Sequence, residues 1–354
     1  MKKIILPFLA MFLLFNSCQK ETELSPESQR LATNVTKISL ASCMLQSIKP
    51  KNSLKRIVEA QPQVMIWGGD NIYADFLAIA PGNFSFIKTQ YNILGRDPDF
   101  QAVKNAVPNH FATWDDHDYG QNDGTTNNPV KAAARKLFCD FWGEPANSTR
   151  RTNPGGIYTS YEMGDEDHRV QFIMLDLRWR QSNHTGTSVG GYPESNDLNK
   201  VMMSQDQWDW LKAELQKPAK VRFIVSSLQF SASYNGGEAW SVYPKQIEKM
   251  QNLIAETQAN GVVFLSGDVH FADISKRDPE NTYPLYDLTS SGITHQEDEP
   301  YDNANRISGP FTKLNYGEIN INWDVTPAQI SLEAHDQWGA IKCQKIVSLD
   351  EISF

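Results

Sequence analysis

Three short stretches of this chain end in residues that bind hard cations. Val64 to Trp67 is an apolar run that stops at Gly68-Gly69 and continues as Asp70-Asn71-Ile72-Tyr73-Ala74-Asp75. Phe111 to Trp114 runs into Asp115-Asp116-His117-Asp118, and Val263 to Ser266 runs into Gly267-Asp268-Val269-His270. A brief apolar run broken by Gly and Asp is how a buried strand leaves the carboxyl edge of a sheet, where open α/β sheets place their ligands. The glycines allow positive φ at the turn. Asp and His offer oxygen and nitrogen ligands, and a phenolate such as Tyr73 suits a hard trivalent ion. Three loops of this kind predict one metal site assembled from three strand ends.

Each residue also has a plainer use. Asp70 is a metal ligand, of a type that can hold two cations, or a core-capping or merely solvated acid, and the ligand is the preferred reading. Tyr73 is a ligand or a buried aromatic with a satisfied hydroxyl. Asp75 serves the site or only bonds its own loop. The charges at 115–118 repel one another unless a cation sits among them. Neighbours on a strand face opposite ways, so Asp116 rather than Asp115 is the expected ligand, with His117 turned to the substrate as general acid. Asp268 and His270 share a face if the strand continues, and both then reach one centre. Cys43, just past an expected first strand from Lys37 to Ala41, is a buried thiol or a thiolate ligand. Arg178 follows Asp176 at another strand end; it clamps a phosphate or pairs with Asp176, and the clamp is the preferred reading. His168, His184, His295 and His335 show no ligand spacing and read as structural or exposed.

The elements that must carry these loops are legible in outline. Helical spacing over Ser53–Ala60, Phe84–Leu94, Phe100–Ala106, Val130–Trp142, Ser204–Gln216 and Pro244–Gln258 alternates with short apolar runs. After Leu285 the pattern turns to period-two alternation, as in antiparallel strands. With 40% hydrophobic and 21% charged residues in 354, the chain has the composition of a folded core. The expectation is one α/β domain over 37–354, with mixed sheets covered by helices. A formal charge of −9 argues against nucleic acid or an anionic membrane surface as a partner. An anionic substrate therefore needs a local cation, and metals supply one.

Ahead of the domain, Met1-Lys2-Lys3 and the apolar run Ile4 to Phe15 read as an export signal too short to span a membrane. The run ends in Leu14-Phe15-Asn16-Ser17-Cys18, which resembles a bacterial lipoprotein box with Phe15 in place of the usual leucine. Residues 1–17 are thus expected to be a lipoprotein signal peptide and 18–36 a flexible tether. The protein is then exported and anchored by lipid at Cys18, in the periplasm or at the cell surface. An ordinary cleaved signal is the alternative. Cys43, Cys139 and Cys343 remain, an odd number that cannot all pair.

Taken together, Gly69 to Asp75, Trp114 to Asp118, Leu175-Asp176-Leu177-Arg178, Ser266 to His270 and the upstream Ser42-Cys43 resemble the alkaline phosphatase D-like family, a branch of the calcineurin-like metallophosphoesterases. The resemblance runs from about Ile38 to about His270. It implies an α/β/β/α sandwich of two mixed β-sheets flanked by helices, with at least two metal ions between the strand-end loops. It implies that Asp70 bridges two ions and that Cys43, Tyr73 and Asp268 hold an iron-type one. Asp116 stands where the wider superfamily has an asparagine ligand, and His117 where it has its catalytic histidine. Two departures stand out: Ser226-Ser227-Leu228-Gln229 occupies the place of a ligand histidine, and Ser42-Cys43 that of an early Asp-x-His. Iron with calcium is the expected pair, with zinc or manganese as alternatives.

The activity this implies is hydrolysis of a small-molecule or lipid phosphate ester by metal-activated hydroxide, without a covalent enzyme intermediate. His117 protonates the leaving oxygen and Arg178 neutralises charge on the phosphoryl group. A phosphodiesterase or phospholipase D-like activity is one alternative. The other is an anchored protein that only binds phosphate or a glycan, for which 9 Trp, 12 Tyr and 17 Phe would provide stacking surfaces.

Overall fold

The computed structural model describes residues 26–49, 51–75, 84–187, 190–234 and 236–354. The expected leader and Cys18 lie outside these residues. Among the described residues, no helix is long and apolar enough to cross a membrane. In chain order the first strands are β1 (Lys37–Ala41), β2 (Val64–Gly68), β3 (Asn109–Thr113), β4 (Thr159–Met163), β5 (Val170–Met174), β6 (Val221–Val225) and β7 (Val262–Ser266). They are followed by β8 (Ala272–Arg277), β9 (Leu285–Ser290), β10 (Arg306–Phe311), β11 (Asn315–Asn322), β12 (Gln329–Asp336) and β13 (Ile341–Ser348). The helices are α1 (Pro26–Leu31), α2 (Asn52–Ala60), α3 (Phe84–Gly95), α4 (Pro98–Ala106), α5 (Asp116–Tyr119), α6 (Lys131–Phe141), α7 (Gln205–Leu215) and α8 (Pro244–Thr257).

Two mixed sheets result. One runs β13-β12-β11-β1-β2-β3 and the other β10-β8-β9-β7-β6-β5-β4. Strands β1, β2 and β3 are parallel, as are β5, β6, β7 and β9. Their carboxyl ends carry every loop singled out from the sequence. Period-two alternation sorts the first sheet: Ile38, Leu40, Val64, Ile66 and Phe111 belong to a core shared with Phe172, Phe223 and Leu265 of the second. Ala41, Met65, Trp67 and Ala112 point the other way, onto Leu54, Ile57, Phe100 and Phe138 of the flanking helices. Trp208, Leu211, Met250 and Ile254 of α7 and α8 cover the second sheet. The expected two-sheet sandwich flanked by helices is therefore present.

Residues 26–36, part of the expected tether, pack on the domain. Helix α1 lies beside β4, with Arg30 accepting from Gly164 N through its carbonyl at 3.2 Å. Val35 is fully buried in the inter-sheet core, and its carbonyl accepts from Trp323 Nε1 at 2.8 Å. A segment of polar composition is held by one apolar residue and its backbone, which composition alone does not register.

Candidate metal centre

Four of the six expected ligands have backbones that non-glycine residues rarely adopt. Cys43, Asp70, Asp268 and His270 have φ of 58°, 49°, 73° and 59°. Left-handed residues of this kind persist only where the surroundings enforce them, and they collect at functional sites. This corrects the pleat argument for the third loop: β7 ends at Ser266, and a tight turn rather than a continued strand brings Asp268 and His270 to the site. Gly69, with φ of 111°, makes the first loop possible, because a Cβ there would stand 2.8 Å from that of Asp115.

Asp70 is the shared member. Its carboxylate, fully buried between the sheets, groups with Cys43 and His270, with Asp116 and His117, and with Asp115, Asp116 and Asp268. In each group the ligand atoms lie within 4.8 Å of one another. Oδ2 of Asp70 accepts from Cys43 Sγ at 3.5 Å, while Oδ1 accepts from the His117 backbone N–H at 3.4 Å. The two oxygens thus serve opposite halves of the cluster. Tyr73 joins the Cys43 half, its hydroxyl 2.9 Å from His270 Nε2.

The donor set fits metal ions. Burial pushes the Asp70 and Asp268 carboxyls well above the usual carboxylate range and the Cys43 thiol up to about 12. Buried anions in such numbers need cations among them. Asp116 Oδ1 is buried with no hydrogen-bond partner, as a coordinating oxygen would be. Burial lowers the His117 imidazole, but Asp116, Asp70 and Asp75 outweigh it and hold its pKa up to about 11. His270 goes the other way, to about 3, through burial and then the neighbouring His295 and His117. A neutral imidazole is the ligand form.

Residues 38–331 match the family described as PhoD-like phosphatase. The chain belongs to that family. Alkaline phosphatase D of Bacillus subtilis (strain 168) is 25% identical over 219 residues, covering 56% of this chain and 36% of that protein. The chain thus matches little more than a third of the length of this curated relative. Among solved structures, one described as the structure of PhoD superposes with a TM-score of 0.66 at 18% identity, covering 90% of this chain and 72% of its own. The purple acid phosphatase PPD1 of yellow lupin superposes at 0.54 and 12% identity, over 90% of this chain and 54% of its own. GAP50 of Plasmodium, described as the anchor in the inner membrane complex, gives 0.54 and 12% over 90% of both chains. At these identities the likeness is one of fold, that of the metallophosphoesterases.

The geometry brings Cys43, Asp70, Tyr73, Asp116, His117, Asp268 and His270 into one cluster. Asp115 is the N-cap residue of α5, and its carboxylate lies in the same cluster as those of Asp70, Asp116 and Asp268, so strand alternation does not separate Asp115 from Asp116 here. At the superfamily's missing ligand histidine, Ser227 donates to Asp115 Oδ1 at 2.9 Å instead. The Arg178 expectation does not hold. This side chain is fully buried beneath the site, its Nε paired with Asp115 and its Nη1 2.7 Å from Glu238. A clamp must face its phosphate, and the cavity beside the cluster is lined by Asp116, His117, Asp123, Tyr192, Glu238, Asp268 and His270 without Arg178. Only the backbone N of Arg178 bonds Asp176, at 2.9 Å.

Four site neighbours escaped the sequence reading. Glu238 follows Gly236-Gly237, a repeat of the Gly-Gly-acid signature at Asp70 that could have flagged it. Asp123 lies in the loop after α5, and its backbone N donates to Asp116 Oδ2 at 2.7 Å. His295 stacks on His270 with ring centroids 3.8 Å apart. It follows β9 and Gly292, the same strand–glycine–ligand order seen elsewhere. The long loop after Arg178 contributes Tyr192, whose hydroxyl donates to Asp123.

Proposed function

We propose that this chain hydrolyses phosphate esters at metal ions held by Cys43, Asp70, Tyr73, Asp116, Asp268 and His270. The observation that carries the reading is the position of Asp70, one buried carboxylate shared by a thiol/imidazole group and a carboxylate group. When bound, such ions supply positive charge for the phosphoryl oxygens and lower the pKa of water for attack at phosphorus. Iron suits the Cys43–Tyr73 half and calcium the all-oxygen half, with zinc or manganese as the alternatives.

The chain's own residues do the rest. His117 lines the cavity, its Nδ1 2.6 Å from Asp75 Oδ1, so that Nε2 is the atom that carries a proton to the departing oxygen. Asp75 fixes the ring and supports its charge. Arg178 acts at one remove: it neutralises Asp115 and Glu238 and so keeps the floor under Asp116 intact. The cavity, about 380 Å³, takes a phosphate with an organic substituent. Diesters, including lipid headgroup esters, and monoesters are both within its reach. From the leader and Cys18 we further propose an exported, lipid-anchored protein acting on small-molecule or lipid phosphate esters outside the cytoplasm.

The test is hydrolysis of an aryl phosphate monoester and its matching diester by metal-reconstituted protein, with Asp70→Asn as control. Turnover lost in the control supports the reading, and the ratio between the esters names the class. Tight phosphate binding without turnover of either ester, with any of the four metals, replaces it with a binding protein.

A further inference from the structure

On the outer face of the six-stranded sheet, away from the cavity, two glutamates and a histidine converge. Glu318 on β11 stands directly opposite Glu333 on β12, and His335 lies two residues further along β12, hence on the same face. The intervening Ile319, Leu332 and Ala334 point into the inter-sheet core. The ligand atoms of Glu318, Glu333 and His335 lie within 4.8 Å of one another, and the three residues are only 7–8% exposed. Like charges directly opposite in a ladder destabilise it unless something cationic joins them.

Two further observations point to what joins them. The Nδ1 of His335 is 3.1 Å from the Gly339 carbonyl and its Nε2 is 2.8 Å from Glu333 Oε2, so the ring is held at both nitrogens and turned to the glutamates. Metal-binding imidazoles are usually held in this way, with the far nitrogen on a carbonyl. Ser39 is the neighbour of Glu318 in the β1–β11 register, on the same face. It is fully buried, and its Oγ has no hydrogen-bond partner. Lys37 stands 3.6 Å from Glu318 and is a third exposed, Asn320 donates to Glu318 Oε1 at 3.0 Å, and Ser331 and Gln344 donate to Glu333 Oε1 at 2.6 and 3.0 Å.

We infer that Glu318, Glu333 and His335 form a second, structural site for a divalent transition metal, with Ser39 beside it. Two carboxylates and one imidazole suit zinc or manganese. The ion would staple β11 to β12, the antiparallel tail that flanks β1 and the Cys43 loop. This site is independent of the proposed catalysis: it shares no residue with the centre around Asp70.

Full-length protein carrying Asp70→Asn and Asp268→Asn, stripped with chelator, isolates the site from the main centre. Titrated with zinc, it should bind one equivalent and melt at higher temperature; adding His335→Gln should abolish both effects. The His335→Gln change alone should leave ester hydrolysis intact. Equal zinc stoichiometry with and without His335→Gln overturns the site. Should the variants fail to fold, anomalous scattering at the zinc edge from soaked wild-type crystals decides. A peak at about 2.0–2.2 Å from His335 Nε2 and the carboxylates is expected, and no peak there overturns the proposal.

Discussion

His117 Nδ1 and Asp75 Oδ1 are 2.6 Å apart, and both side chains are nearly buried, at 11% and 8% exposure. The pair joins the loop after β2 to the short helix α5 that follows β3. Its geometry fixes the ring by one nitrogen and commits the other to the cavity. Loss of the ring by His117→Ala should therefore slow alkyl esters by roughly 10²–10⁴. Aryl esters, whose leaving oxygen needs less protonation, should suffer less. Asp75→Asn should give a smaller loss, about 10-fold to 100-fold, as for other orienting partners. Turnover measured across esters of graded leaving-group acidity checks this, and a uniform loss would remove the proton-donor role.

Arg178 separates two readings through stability. Breaking a buried charge pair from one side costs about 3–5 kcal/mol, because the partners are left unpaired. Arg178→Ala should thus lower the denaturation midpoint sharply, with Asp115 and Glu238 stranded. A phosphate clamp would show the reverse, weaker phosphate binding in a protein of unchanged stability.

Metal uptake should release protons. The Cys43 thiol, pushed up to about 12 by burial, is protonated at neutral pH, and only the thiolate is a ligand. Apparent metal affinity should rise with pH by up to about tenfold per unit, since each thiol deprotonated is one proton displaced. Cys43→Ser should flatten that slope. Proton release on iron addition in weak buffer is the direct readout.

His110 makes the fold sensitive to acid. Trp67 Nε1 donates to His110 Nδ1 at 3.1 Å, and His110 Nε2 donates to the Val107 carbonyl at 3.0 Å, which fixes a neutral ring. Burial, then the nearby Lys104, lower its pKa to about 4. The unfolded chain takes up this proton near pH 6.5, the folded one only near 4, so stability is lost as pH falls across that window. Melting temperature followed from pH 7 to 4 should fall, and His110→Gln should blunt the fall.

Much of the centre could be read from residue order. Strand ends followed by Gly and Asp announce loops at a carboxyl edge, and the types Asp, His, Tyr and Cys announce cations, because both signals are local. What stayed hidden depends on distant partners. Whether Arg178 faces a phosphate or a carboxylate is decided by Asp115 and Glu238, 63 and 60 residues away along the chain. His295 becomes a site neighbour only when β9 packs beside β7 and delivers it to His270. Asp268 and His270 meet the site through left-handed backbone that no period-two pattern encodes. Glu318 and Glu333 look like ordinary exposed strand acids until the register sets them face to face. The sequence by itself determined the kind of ligand and the loops that present it, since those follow from side-chain chemistry and backbone freedom. Tertiary structure alone decided which charges are partners, because burial and pairing are properties of residues that the chain keeps far apart until it folds.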